Sequence, residues 1–312
     1  MKVYRSIDEF TRLEKAVVTT GTFDGVHYGH QKIIQRLCEL AKANKGESVI
    51  ITFFPHPRLV LFPEDNDLKL INTLDEKIEL IEALGVDHLL IIPFTKEFSR
   101  LSSLEFIQQI LVDKIGTKKL VIGYDHHFGK NREGSFEHLK HYSKEYGFEV
   151  EEIPEQDIND VAVSSTKIRN AILAGDFNTA NQYLSRPFRI IGTIIKGDQI
   201  GRTLGFPTAN IKLHESYKII PADGIYAVNV CLQDRKFQGM LYIGDRPTVN
   251  GKSKVIEVNI FDFSADVYDQ TIKVEFLKYI RGDKHFKSLE ELKVALANDE
   301  KEVRNYFSNI NQ

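Results

Sequence analysis

Residues 21–30, Gly21-Thr22-Phe23-Asp24-Gly25-Val26-His27-Tyr28-Gly29-His30, place two histidines on either side of a Tyr-Gly pair. A β-rich run, Ala16 to Gly21, comes before them and a helical pattern comes after, so His30 falls in the first turn of a helix. A helix N-terminus presents unpaired N–H groups and about half a positive charge. Imidazoles there can donate hydrogen bonds to phosphate oxygens as charge builds in a transition state. Gly25 and Gly29 let backbone approach an anion closely. The plainer alternative is a tight turn with two surface histidines. The whole string, at the edge of a strand-helix pattern, favours the anion site.

Four further segments carry chemistry. Ser164-Ser165-Thr166-Lys167-Ile168-Arg169 opens a helix with hydroxyls and puts an Arg one turn later, which makes a second anion cradle besides ordinary capping. Phe53-Phe54-Pro55-His56-Pro57-Arg58 ends a strand, and by itself it reads as a rigid extended turn. Gly197 to Ile211, GDQIGRTLGFPTANI, is glycine-rich but lacks the GxxxxGK[ST] of a Walker A loop. In the run Val255 to Phe263, Ile256, Val258 and Ile260 share one face, and Glu257 and Asn259 the other. A glutamate pointing off a sheet is ordinarily a solvated residue.

Periodicity supplies the elements that position these residues. Helical spacing of Ile33, Leu37, Leu40 and Ala41 predicts a helix over about 29–44, and Ser48 to Phe54 reads as a strand covered on both faces. Thr73-x-x-Glu76 and Ser102-x-x-Glu105 are capping boxes opening two more helices. Strands follow at Asp87 to Pro93, Lys119 to Gly123 and Phe148 to Ile153, with a helix from Ser135 to Tyr146 and another that Gly175 closes. This alternation predicts an α/β domain with an open parallel sheet, whose ligands bind at the C-terminal strand ends. From about Pro187 the rhythm changes to β-runs: 189–195, 225–232, 237–243, 255–261 and 271–280. A final helix opens at the capping box Ser288-x-x-Glu291 and carries Leu292, Leu296 and Val303. That pattern predicts a small antiparallel β-barrel with a terminal helix, divided from the first domain near Ser185-Arg186-Pro187. The expected domains are 1–186 and 187–312.

Composition narrows the field. The 312 residues are 42% hydrophobic and 27% charged, which excludes a disordered or fibrous chain and fits about two domains. With 41 Lys+Arg against 44 Asp+Glu, nothing draws the whole chain to nucleic acid or anionic membrane, and there is no basic stripe or helix-turn-helix pattern. Cys38 and Cys231 form no metal spacing and read as two buried thiols of a reduced protein. No run is long enough to span a bilayer and no signal peptide opens the chain, so the expectation is a soluble, cytoplasmic protein. The sequence leaves oligomeric state open, a homo-oligomer included.

HxGH after a first strand resembles the nucleotidyltransferase superfamily. The longer GTFDGVHYGH is similar to the prokaryotic bifunctional riboflavin kinase/FAD synthetase family. Other segments resemble that family in order: the PHP segment, Ile122 to Gly134, SSTxIR, the GFPTANI loop, Asp223 to Val228, Gly244-Asp245-Arg246-Pro247-Thr248 (read as a turn), the Glu257 strand, and Phe276 to Leu292. His126 stands where the family has Phe. The resemblance implies an FMN adenylyltransferase (nucleotidyltransferase) domain followed by a riboflavin kinase domain. It implies that His27, His30 and Arg169 act on the phosphates in adenylyl transfer. Gly21, Thr22, Phe23, Asp24, Gly29, His56, Ser164, Ser165 and Thr166 would bind ATP there. In the kinase, Gly197, Gly201, Arg202, Gly205, Thr208 and Asn210 would bind ATP, with Thr208 and Asn210 holding Mg²⁺. Glu257 would be the general base for the ribityl 5′-hydroxyl. Asp125, Phe128 and Arg132 would contact flavin in the first domain and Arg281 in the second, where a structural salt bridge is an equal alternative. Substrates and products would be riboflavin, FMN, FAD and ATP. Two rival readings are a working kinase with a weak or silent adenylyltransferase and a non-catalytic flavin-binding regulator.

Overall fold

A computed structural model describes residues 1–64, 68–123, 128–130, 133–154, 163–197, 201, 204–233, 235–248 and 251–310, with backbone alone at 246–248 and 251–253. The chain divides into two compact units, Met1–Ser165 and Thr166–Gln312.

The first unit holds six parallel strands: β1 (Lys2–Tyr4), β2 (Ala16–Thr20), β3 (Glu47–Phe54), β4 (His88–Pro93), β5 (Thr117–Gly123) and β6 (Glu149–Ile153). Their spatial order is β1-β4-β3-β2-β5-β6. The helices are α1 (Tyr28–Ala43), α2 (Pro57–Leu61), α3 (Leu74–Glu82), α4 (Ser103–Glu105, continued by a π-helical stretch Phe106–Ile115) and α5 (Phe136–Tyr146). The continuous apolar strands are explained by burial on both faces. Val18, Ile51, Leu90 and Leu120 join one core with Ile107 and Leu111, while Val17, Ile50, Leu89 and Val121 join the other with Ile34 and Leu37. Both capping boxes predicted for this unit form with both arms, each worth about 1 kcal/mol at its helix end. Strand β2 sits between β3 and β5, where the winding changes direction. The crevice at its C-terminal end is where an open sheet of this kind binds ligand.

The second unit begins with α6 (Ser165–Leu173, its first residue in the first unit) and α7 (Phe177–Leu184). A closed barrel follows: β7 (Phe188–Ile195), β8 (Ala209–Leu213), β9 (Gly224–Leu232), β10 (Arg235–Thr248), β11 (Gly251–Ile260) and β12 (Thr271–Arg281), in the order β10-β11-β8-β7-β12-β9. All its pairings are antiparallel. The units part before the change of rhythm at 186/187 because α7 is held on the barrel. Asn181 Nδ2 donates to the Phe276 carbonyl at 2.9 Å, Phe188 N–H donates to Asn181 Oδ1 at 2.7 Å, and the Phe177 and Phe276 rings stack. The last helix, α8 (Leu289–Ile310), covers an outer barrel face through Val303 and Phe307.

Three local expectations need correction. Only half of the Ser288 capping box forms: Glu291 N–H donates to Ser288 Oγ, but the Glu291 carboxylate accepts from Lys287 N–H. Segment 244–248 is the end of β10, paired to 251–255 of β11, rather than a turn. Cys38 is buried, but Cys231 is only half-buried, because on β9 it alternates with the inward-facing Val230 and Leu232.

Candidate active sites

The first site grows from the loop between β2 and α1. His27 caps α1, its Nδ1 accepting from His30 N–H at 3.4 Å, and the two imidazoles stack with centroids 3.6 Å apart. The Phe23 ring meets His30 edge-on at 5.2 Å. His27 is buried, while His30 keeps part of its surface exposed. Phe23 (φ +48°), Gly25 (φ +88°) and Val26 (φ +39°) are all left-handed, a costly run for non-glycine residues and most of all for a β-branched one.

Side chains that grip the loop's carbonyls hold that conformation. Ser165 Oγ donates to Asp24 C=O at 2.9 Å, Gln31 Nε2 to Val26 C=O at 2.9 Å, and Lys77 Nζ to Thr22 C=O at 2.7 Å, with Thr52 Oγ1 adding a longer bond to Thr22. The Asp24 carboxylate is buried and accepts from Ile71 and Asn72 N–H. These bonds fix the path of the loop that leads from β2 into α1.

His56 caps α2 at the end of β3, accepting from Arg58 N–H at 3.2 Å, with Pro57 as the first helical residue. Thr166 and Arg169 follow Ser165 on α6, in the second unit. Phe128 and Gly134 bridge each other through both backbone groups, and the Phe128 ring packs on Phe106 at 5.7 Å. Asp125, His126 and Arg132 lie outside the described residues.

The second site lies on the outer face of the barrel, in a cavity of about 560 Å³ lined in part by Gly201, Thr208, Tyr242, Glu257, Asn259 and Arg281. Antiparallel pairing places Glu257 opposite Tyr242 on β10 and opposite Asn210 on β8. Thr208 Oγ1 donates to Glu257 Oε2 at 3.2 Å, and Asn259 Nδ2 donates to the Pro207 carbonyl at 2.7 Å. The glycines of the preceding loop lie close under these groups. A methyl at Gly197 would meet Asn210 Nδ2 at 2.2 Å, and one at Gly201 would meet the Phe206 carbonyl at 2.3 Å. Gly205 sits at φ +88°, and Arg202 is outside the described residues.

Tyr242 donates to Asp283 at 3.2 Å; burial first, then Asp283, pushes its phenol up to about 12. Arg281 forms the structural salt bridge and also borders the cavity. The bridge is a two-pronged ion pair with the buried Asp299 of α8 at 2.8 and 2.6 Å. Removing one partner of such a pair strands a charge. Asp299→Ala should therefore cost the barrel about 3 kcal/mol, read as a lower urea midpoint for its transition.

Comparison with known proteins fits both sites. Residues 9–167 match the family model for FAD synthetase, and residues 184–307 that for riboflavin kinase. The bifunctional riboflavin kinase/FMN adenylyltransferase of Pseudomonas fluorescens is 40% identical over 91% of this chain and 90% of its own. The protein of the same description from Escherichia coli K12 is 37% identical over 98% of each chain. The chain belongs to the bifunctional riboflavin kinase/FMN adenylyltransferase family. The family member from Bacillus subtilis is 38% identical over 95% of this chain and 94% of its own.

A crystal structure of a Streptococcus pneumoniae protein, described as a macrolide-efflux protein, superposes with a TM-score of 0.89. The two are 33% identical over 97% of this chain and 98% of that one. Among the described residues no helix is long and apolar enough to cross a membrane. Sequence reasoning singled out the Gly21–His30 loop, the PTAN segment and Glu257, and the structure brings Thr208 and Glu257 together at one cavity. Sequence reasoning missed Gln31, Lys77, Tyr242, Asp283 and Asp299. The first two lie inside ordinary helical patterns, and the others come to the cavity or to Arg281 only once the barrel closes and α8 docks.

Proposed function

We propose that residues 1–186 carry FMN adenylyl transfer at the Gly21–His30 loop and residues 187–312 carry riboflavin phosphorylation at the Glu257 cavity, as two separate sites. The chain is a bifunctional riboflavin kinase and FMN adenylyltransferase, with both domains present. What carries the assignment of sites is the grouping of Thr208, Asn210 and Glu257 over the glycine loop of the barrel, in a different unit from the stacked His27 and His30.

In the kinase, Glu257 takes the proton of the ribityl 5′-hydroxyl as that oxygen attacks the γ-phosphorus of ATP, and ADP leaves. Thr208 holds the carboxylate in place. The hydroxyl of Thr208, the amide oxygen of Asn210 and the phosphates supply the oxygen ligands a hard divalent cation takes, so the residues fit Mg²⁺. Bound there, Mg²⁺ would neutralise phosphate charge. Arg281, among the residues lining the cavity, orients the flavin.

In the adenylyltransferase, an FMN phosphate oxygen attacks the α-phosphorus of ATP and pyrophosphate leaves. No protein base is required, because the phosphate is already an anion. His27 and His30 donate to phosphate oxygens from the N-terminal end of α1. We take the protein to work in the cytoplasm, on small molecules and not on nucleic acid.

Gly201→Ala tests the kinase half without removing a catalytic side chain. The methyl must displace the Phe206 backbone. FMN formation should fall by about 100-fold while FAD formation from supplied FMN is unchanged, both read by chromatography. Equal losses in the two assays would contradict the separation of sites.

A further inference from the structure

We propose that Lys77 is a positioning residue for adenylyl transfer: from inside the protein its ammonium fixes the Thr22 carbonyl and lends positive charge to the phosphate loop. The inference rests on the reading of Gly21–His30 as the site of that reaction. Lysine is seldom buried, because removing an ammonium from water is costly without a compensating partner. Lys77 is nevertheless 5% exposed, on the inner face of α3. Its Nζ donates to Thr22 C=O at 2.7 Å, in a loop whose left-handed residues need holding.

The charged group facing it from the loop is Asp24, which favours the ammonium. Its neighbour Glu76 turns its carboxylate to Thr73 N–H and Asn72 Nδ2. Thr52, converging on the same carbonyl from β3, carries no charge. On the loop itself, His27 stacks on His30. A neutral side chain would hold apolar surface equally well, so the lysine brings a donor and a charge. A cation next to a triphosphate cradle strengthens it without touching substrate.

Burial pushes the Lys77 ammonium down to about 8 against an ordinary 10.5, with Asp24 opposing. Activity and stability should then move in opposite directions. As pH rises through about 8 the folded protein loses the charge beneath the loop, and adenylyl transfer falls. Between that pH and 10.5 the unfolded chain binds more protons than the folded one, so folding stability rises over the same window.

The test uses the full chain, with the urea transition of the first unit as the measure of its folding and FMN formation from riboflavin as the control for the second. In Lys77→Met, kcat/KM for ATP in FAD formation from supplied FMN should fall about 100-fold, with FMN formation unchanged. In the wild type, FAD formation should decline as pH passes through about 8 while FMN formation does not. Lys77→Arg should remove that decline, because a guanidinium keeps its proton. A Lys77→Met enzyme of wild-type kcat/KM, or a wild-type FAD profile flat through that pH, would overturn the proposal. If neither variant folds, the wild-type profile decides alone. His30→Ala, assayed in parallel, separates the two levels. If it is inactive beside an active Lys77→Met enzyme, only the lysine inference fails; if it is fully active, the loop assignment itself fails.

Discussion

Replacing Glu257 with alanine should abolish FMN formation from riboflavin yet leave FAD formation from supplied FMN intact. A positioned general base is worth about 10²–10⁴ in rate, so the kinase signal should drop by that factor. Glu257 qualifies by place: its carboxylate accepts from Thr208, it pairs across the ladder with Asn210, and it faces the cavity. Glu257→Gln separates chemistry from packing, since the amide can still accept from Thr208 but cannot serve as the base. It should be as inactive as the alanine variant. Loss of both products in a folded Glu257→Gln protein would show that the sites are not independent.

His30→Ala should have the mirror effect, with FMN accumulating and FAD absent. Losing one donor to a developing phosphate charge costs about 10²–10³ in kcat. His30 is the cleaner of the two histidines to change. His27 is also the N-cap of α1, so its removal would add about 1 kcal/mol of lost capping to any catalytic effect. A His30→Ala enzyme with wild-type FAD output would refute the role.

The parallel sheet was legible because burial on both faces leaves continuous apolar runs such as Val49–Ile51 and Leu89–Ile92. The barrel was legible from its alternating runs. What escaped had physical reasons. Strand β1 has three residues, none buried, and so leaves no pattern. Strand β8 begins inside the GFPTANI segment, which reads as turn chemistry, and only Ile211 of its five residues is buried. Helix α7 begins at Asp176, whose carboxylate accepts from Thr179 N–H, but Asn and Thr in its sequence weaken the helical signal. Helix α2 hides behind the rigid look of Pro55-His56-Pro57.

Within the sites, motif residues were legible one by one, and their supports were not. Lys77 sits in an amphipathic helix where a lysine normally faces solvent. Asp299 meets Arg281 across 18 residues of chain, a pairing no local pattern announces. The grip on the Gly21–His30 loop is set by tertiary contacts that no local pattern carries.

The central claim is two working active sites on one chain, and a product assay tests it most directly. Purified protein is incubated with riboflavin and Mg-ATP in one tube and with FMN and Mg-ATP in another, and riboflavin, FMN and FAD are separated by chromatography. FAD in both tubes is the predicted result, and it would make His126 a tolerated departure from the family Phe. FMN alone in the first tube with nothing new in the second would contradict the account, leaving a kinase joined to a silent N-terminal domain.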